Sequence, residues 1–260
     1  MTTGSARVAD AIFDLYLANR VLAHAGGLDA WGHVSARHPE RPAAFLMSRS
    51  RSPMLVEESD IVVHNLDGTA ADDERRSLYY ERFIHAAIYA ARPDVQGIVH
   101  SHADEVIPFT ITAEPLRPVM AMAKYLGTEL PVWDIDEEFG DATDLLVNDI
   151  EKGRALARRL GRNDVALMRG HGFVATGPAL LDAVITAIYL PRNARILSAA
   201  LRLGPVKGLS AGEVRNRRVF SAEMPGPQRA WEYWAHQAGI PYRPGAATRS
   251  SALLDDGGPS

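Results

Sequence analysis

Between Ser77 and His102 the hydrophobic pattern changes period, and that change limits what the chain can fold into. In "SLYYERFIHAAIYAARPDV" apolar residues recur at helical spacing. Arg92-Pro93 closes the run, because the residue before a proline is driven out of helical backbone. "VQGIVHSH" follows at once and reads as a buried strand. A helix that hands over to a buried strand through so short a turn packs on the sheet the strand joins, so an α/β fold is expected. The rest of the chain agrees. Ser5 to Ala25 reads as a helix stopped by Gly26-Gly27, "HVSARHP" and "AAFLMS" as strands about a turn at Pro39–Pro42, and "DIVVHNLDGT" as a strand ending in an Asp-Gly turn. "HADEVIPFTIT" reads as a helical turn, "AMAKYLG" as a loop and "ELPVWDI" as a short strand. "DLLVNDIEKGRALARRLG" is a helix, and "DVALMRGHGFVATG" is a strand, a glycine-flanked loop and a second strand. "ALLDAVITAIYLPRNARILSAALRLG" is a long helix expected to kink at Pro191, and "AWEYWAHQ" is a helical turn. With 260 residues and no internal repeat, residues 1–245 are expected to form a single domain and 246–260 a disordered tail.

Composition removes several classes of function. There is no cysteine, which excludes disulfides, a thiol nucleophile and thiolate metal sites. The net charge of −4 gives no bulk basic field, so no nucleic-acid partner is expected. No apolar run is long enough to span a bilayer, and "MTTGSARVADAIFDLY" has no signal-peptide pattern, so a cytoplasmic location and no membrane partner are expected.

The chemistry-bearing residues gather around three motifs. On a strand, His100 and His102 point to one face and Ser101 to the other, so both imidazoles can reach one metal ion. A bare H-x-H is more often a pair of core or surface histidines bonded to backbone. His171 follows an apolar strand and is bracketed by Gly170 and Gly172, which allow a sharp turn and close approach to a ligand. Glu81 shares a helical face with Ile84, His85 and Ile88, which carries its carboxylate toward buried surface, although a glutamate near a helix start is also favoured by the dipole alone. His85 can simply pack and hydrogen-bond beneath such a site. In "SRSRSPM", Arg49 and Arg51 share a face if extended and suit carboxylate or phosphate oxygens, or else form a solvated loop. Arg117 and Lys124 are further cationic candidates with the same two readings. His33 follows a glycine turn close to these groups, His24 lies on the first helix and is expected to be structural, and His38, His64 and His236 are expected at the surface.

The runs "ERFIHAAIYAARPDVQGIVHSH" and "LMRGHGFVA", with "GHVSAR" and "NLDGT" upstream, resemble the class II aldolase/adducin family from about Phe13 to Leu203. That resemblance implies a three-layer α/β/α sandwich around a mixed, largely antiparallel sheet. It implies one divalent metal ion on His100, His102 and His171, with Glu81 as a further ligand and the proton-transfer residue. It also implies a homotetramer with sites at subunit interfaces. Sugar-phosphate members cradle phosphate with small groups. Here those positions hold His33, the "SRSRSP" loop and Tyr79-Tyr80, which disfavours a sugar phosphate and favours a flatter carboxylate. "FLMSRSRSP", "VIPF", "LRPV" and "VALMRGHG" are similar to the decarboxylase branch, which acts on dihydroxyphthalate, a hydroxy-methylpyridine dicarboxylate and carboxylated ring-cleavage products. A histidine expected near Ala121 in some relatives is missing, which bears on the substrate.

The expectation is therefore a carboxy-lyase acting on a hydroxylated aromatic or ring-cleavage dicarboxylate through a metal-stabilised enolate. Zinc or manganese would suit it, with iron or cobalt as alternatives. His33, Ser48, Arg49, Arg51, Tyr79 and Tyr80 would bind substrate. The rival readings are a sugar-phosphate aldolase or epimerase, a non-catalytic adducin-like interaction domain, and an oxygenase on the same histidines.

Overall fold

A computed structural model describes residues 5–71, 73–216 and 225–241. The first helix, α1 (Ala6–His24), is capped by the Ser5 hydroxyl, which accepts the Val8 N–H. Strands β1 (His33–Arg37), β2 (Ala44–Ser48) and β3 (Ile61–Asn65) follow, then α2 (Arg82–Ala91) and β4 (Gly97–Ser101). Next come the short helices α3 (Pro108–Ile111) and α4 (Ile135–Phe139), on either side of β5 (Val132–Trp133), and then α5 (Ile150–Leu160), capped by Asp149. The hairpin β6 (Val165–Met168) and β7 (Gly172–Gly177) leads into α6 (Leu180–Leu203), which carries Pro191 inside it. The described chain ends with α7 (Ala211–Arg215) and α8 (Pro225–Gln237).

The strands form one seven-stranded sheet in the order β3-β2-β1-β4-β7-β6-β5. Every pairing is antiparallel except β5 with β6. Alternation along the strands divides the core in two. Phe45, Met47, Ile98, Ala166, Met168 and Val174 face α2 and α5. Val34, Ala36, Leu46, Val99, Leu167, Phe173 and Ala175 face α1, α6 and α8. The fold is thus a three-layer α/β/α sandwich on a mixed, largely antiparallel sheet, as expected. His100 shares the face of Ile98, and β1 and β7 flank it with His33 and Val174 at its level.

Several local expectations change. The α2 helix starts at Arg82, not Ser77, so Glu81 occupies its N-cap position. The α5 helix starts at Ile150, because Asp149 takes the Lys152 N–H and ends the extended run before it. Ala121–Leu126 is a 3-10 helix rather than a loop, and "AWEYWAHQ" belongs to a longer helix, α8. His38 and His64 are buried, not exposed. His38 Nδ1 accepts the N–H groups of Glu40 and Arg41 and so ties down the turn between β1 and β2. His64 shares an inward face with Val62 and stacks on Phe45, with ring centroids 5.0 Å apart. His236 is exposed as expected, and His24, read as structural, is exposed as well. The expected tail, 246–260, lies outside the described residues. Among the described residues, no helix is long and apolar enough to cross a membrane.

Candidate metal centre

Two backbone features bring the three histidines together. Gly172 opens β7 where the chain passes the end of β4, and a Cβ there would lie 2.0 Å from the Ser101 carbonyl oxygen. Only glycine permits that approach, which sets the loop bearing His171 against the H-x-H segment. Gly170 supplies the turn with a φ of +62°, a left-handed conformation that side chains rarely adopt. Its N–H donates to Thr110 Oγ1 at 2.9 Å. Glu81, at the N-cap position of α2, caps nothing with its side chain. Instead Oε1 accepts the Val147 N–H at 3.0 Å, while Oε2 lies 3.5 Å from Nε2 of both His100 and His171.

One ligand atom from each of Glu81, His100, His102 and His171 lies within 4.8 Å of all the others. The orientation of each ring is fixed from behind. His100 Nδ1 donates to the Phe173 carbonyl (3.0 Å) and His171 Nδ1 to the Leu145 carbonyl (2.8 Å). His102 Nδ1 donates to the Asp29 carboxylate, with its oxygens at 3.2 and 3.3 Å. A carbonyl or carboxylate only accepts, so each Nδ1 carries the hydrogen and each Nε2 presents a lone pair. His100 Nε2 is buried with no hydrogen-bond partner. Three lone pairs and a carboxylate aimed at one point repel each other, and a cation removes that repulsion. The donor set therefore fits one divalent metal. Four candidate protein ligands would leave further coordination positions open on such an ion.

The protonation states of His102 and Glu81 agree, and that of His171 depends on whether a cation is bound. Burial, reinforced by His100 and His171, pushes His102 down to about 4, so it is neutral at pH 7. Burial opposes the charge on Glu81, yet His100 and His171 outweigh it and hold the carboxyl well below the usual range. Burial likewise opposes the charge on His171, but Glu81 beside it turns the net shift upward. A bound cation would replace that proton with its own charge. Asp29 feels burial as well, and is held low by the N–H groups of Gly32 and Trp31 and by His102.

The substrate candidates divide. His33 is 1% exposed, its ring centroid 5.0 Å from that of His100 and 4.8 Å from that of Tyr79. Tyr79 is buried and its hydroxyl donates to the Arg51 carbonyl. Ser48 is buried at the end of β2, beside that hydroxyl. Tyr80 points into solvent at 77% exposure, so its packing role has no support in the structure. Arg49 and Arg51 both pair with Asp60, at 2.7 and 2.8 Å, so neither is an uncommitted carboxylate anchor. Two guanidiniums on one carboxylate still leave a net positive charge. Arg117 pairs with Glu114.

Sequence reasoning missed Asp29, Asp60, Ser35 and Tyr89. Asp29 precedes "GH" within a turn, and its double acceptance of the Trp31 and Gly32 N–H groups is an Asx-turn signature that could have drawn attention to it. For the other three no sequence signal is evident.

Fold and cluster together define a class: an α/β/α sandwich with a carboxylate and three histidines converging at the end of its central strands. The profile of the class II aldolase and adducin N-terminal domain matches residues 14–198, and the chain belongs to that family. It is 36% identical to decarboxylase tropJ of Talaromyces stipitatus over 81% of this chain and 87% of that one. It is 31% identical to the 3,4-dihydroxyphthalate decarboxylase of Arthrobacter keyseri over 66% and 71%. The crystal structure of an aldolase II superfamily protein from Pseudomonas syringae superposes with a TM-score of 0.75 at 23% identity, covering 90% of this chain and 94% of that one.

Proposed function

We propose that this chain is a divalent-metal-dependent decarboxylase of a hydroxylated aromatic or ring-cleavage dicarboxylate, of the type of 3,4-dihydroxyphthalate. The observation that carries the reading is the cluster itself, in which every histidine is turned lone-pair-inward by a fixed acceptor. Two decarboxylases among the relatives support the reaction type. The intact ligand set speaks against a purely interacting, adducin-like domain. Three imidazoles and a carboxylate, with no thiolate, suit zinc, manganese, iron or cobalt. The cation's charge offsets the electron pair that decarboxylation leaves on the substrate.

The chain's own residues do the rest. In an ortho-hydroxy acid the bond from ring carbon to carboxyl carbon breaks, carbon dioxide leaves, and its electron pair stays with the ring. A proton must then reach that carbon. Glu81 is the proton-transfer residue: Val147 holds Oε1, so Oε2 is the oxygen that takes and returns the proton. The Arg49–Asp60–Arg51 group, net positive, draws a second carboxylate without either arginine leaving Asp60. Tyr79 and His33 line the approach to His100, and the buried Ser48 hydroxyl, which has no hydrogen-bond partner among the described residues, is a candidate to orient the substrate hydroxyl. By the same family resemblance the working form is a homotetramer, which sedimentation would check.

The deciding assay measures carbon dioxide release from a panel of ortho-hydroxy dicarboxylates, with and without a chelator, beside aldol cleavage of sugar phosphates. Release from one aromatic acid, lost with chelator and restored by metal, is the expected result. Aldol cleavage without release would overturn the reading.

A further inference from the structure

A chain of four buried side chains runs behind the cluster. Tyr89 Oη lies 3.0 Å from Ser35 Oγ, Ser35 Oγ 2.6 Å from His85 Nδ1, and His85 Nε2 2.7 Å from His33 Nδ1. None of the four residues is more than 1% exposed. Each link needs one hydrogen, and burial favours neutral imidazoles, which have one donor nitrogen and one acceptor nitrogen each.

The chain therefore has a direction. If it ran inward from His33, each group would donate toward Tyr89, and the Tyr89 hydrogen would be left over. Ser35 is the hydrogen-bond partner of that hydroxyl among the described residues. If Tyr89 and His85 both donated to Ser35, the Ser35 hydrogen would be left over instead. A buried donor without an acceptor is costly. Running outward, Tyr89 donates to Ser35, Ser35 to His85 Nδ1, and His85 Nε2–H to His33 Nδ1, and the one remaining hydrogen sits on His33 beside the candidate site, where an acceptor can enter, rather than on Tyr89 in the closed interior. The Arg37 guanidinium, 4.7 Å from the Tyr89 ring centroid, favours Tyr89 as the donor at the head of the chain. His33 is then left with its hydrogen on Nε2, the nitrogen directed away from His85.

We infer that Tyr89, Ser35 and His85 are positioning residues that hold His33 as the Nε2–H tautomer, so that it offers a hydrogen bond to an anionic oxygen of the substrate. Its polarity is the reverse of that of the three ligand histidines. Those present a lone pair at Nε2 and accept a cation, whereas His33, one strand away, presents a hydrogen and repels it. That difference separates one imidazole for substrate from three for metal. The tautomer assignment stands on hydrogen bonding alone, and only the identity of the oxygen rests on the decarboxylase reading.

The test uses the full chain loaded with zinc and labelled with 15N-histidine, read by two-bond proton–nitrogen correlation. The expected pattern is His33 protonated at Nε2, with His100, His102 and His171 protonated at Nδ1. Protonation of His33 at Nδ1 overturns the inference, whether or not any substrate is turned over. In Ser35→Ala, His33 is expected to become a tautomer mixture with zinc stoichiometry unchanged. On an active substrate, kcat should fall about tenfold with KM within about twofold, the scale of one lost hydrogen bond. Ser35→Thr, which keeps the hydroxyl, should restore both. An unchanged His33 tautomer in Ser35→Ala would overturn the positioning role. A failed carbon dioxide assay with the predicted tautomers would count against the decarboxylase reading and leave the relay standing.

Discussion

Asp29 has two tasks within one carboxylate. It accepts the N–H groups of Trp31 and Gly32, which shapes the turn into β1, and it accepts from His102 Nδ1, which aims that ring at the cluster. Asn keeps an acceptor for the turn but loses the charge behind the histidine. Asp29→Asn is expected to weaken zinc binding about 10-fold or more, as for other groups that orient metal-ligating histidines, with little change in thermal unfolding of the metal-free chain. Competition against a chromogenic chelator measures the first effect and a melting scan the second. Equal affinity in the variant would mean that Phe173, Leu145 and local packing orient the cluster without help from Asp29. At this scale the sequence was legible where residue type implies chemistry. The four residues that converge in the cluster were identifiable as candidates from H-x-H and G-H-G, with the preceding acid. Ser35 and Tyr89 were not, because a residue that acts through a neighbour carries no signature of its own, and Asp29 was open to notice only through its turn.

Among elements, the crossing of β4 and β7 decides whether there is a site at all. Gly172→Ala places a methyl group where the Ser101 carbonyl already is, so the strands must part and carry His171 away from His100 and His102. We expect loss of metal binding together with destabilisation of roughly 2 kcal/mol or more, the scale of overpacking, read by calorimetry with and without zinc. Gly170→Ala tests the other half of the motif, since a left-handed turn strains any side chain by about 1–2 kcal/mol without a steric collision. A Gly172→Ala protein that binds zinc normally would show that the close approach is not what assembles the cluster. Strand periodicity correctly gave the face of His100, which packs with Ile98 toward α2. His102 lies just beyond the end of β4 and reaches the cluster from irregular backbone, which period-two reasoning cannot describe. Glu81 was placed on a helical face and instead sits at the N-cap position, where its Oε1 accepts the N–H of Val147, a residue far along the chain that periodicity cannot bring in. His64 could have been read correctly. It alternates in step with Val62, but its polarity suggested the surface.

For the molecule as a whole, buried histidines tie stability to pH. Burial pushes His64 down to about 4 from its ordinary 6.5, and His33 and His85 well below that ordinary value. Between pH 6.5 and 4 the unfolded chain takes up protons that the folded chain refuses. Their stabilising effect is therefore complete above pH 6.5 and is lost as pH falls toward 4. For His64 alone the loss amounts to about 3 kcal/mol. Urea unfolding of the metal-free protein at pH 7 and pH 5 should show a clear drop in midpoint, smaller in His64→Phe, which keeps the stack on Phe45. Equal drops in both proteins would assign the acid sensitivity elsewhere. The seven-stranded order and the position of the two helical layers were beyond sequence reading from periodicity, because long-range pairing such as β1 with β4 leaves no local trace. The family resemblance supplied the fold class.

Two of the three groups that fix the ligand tautomers are peptide carbonyls, those of Phe173 and Leu145, and the third is the side chain of Asp29. No exchange of side chain at position 173 or 145 removes the carbonyl there. Mutation can therefore alter what stands behind His102 directly, but it can reach what stands behind His100 and His171 only by displacing backbone. Across descendants of this sequence, the hold on the metal can drift by small steps at one codon, while two of its three supports are inherited with the fold.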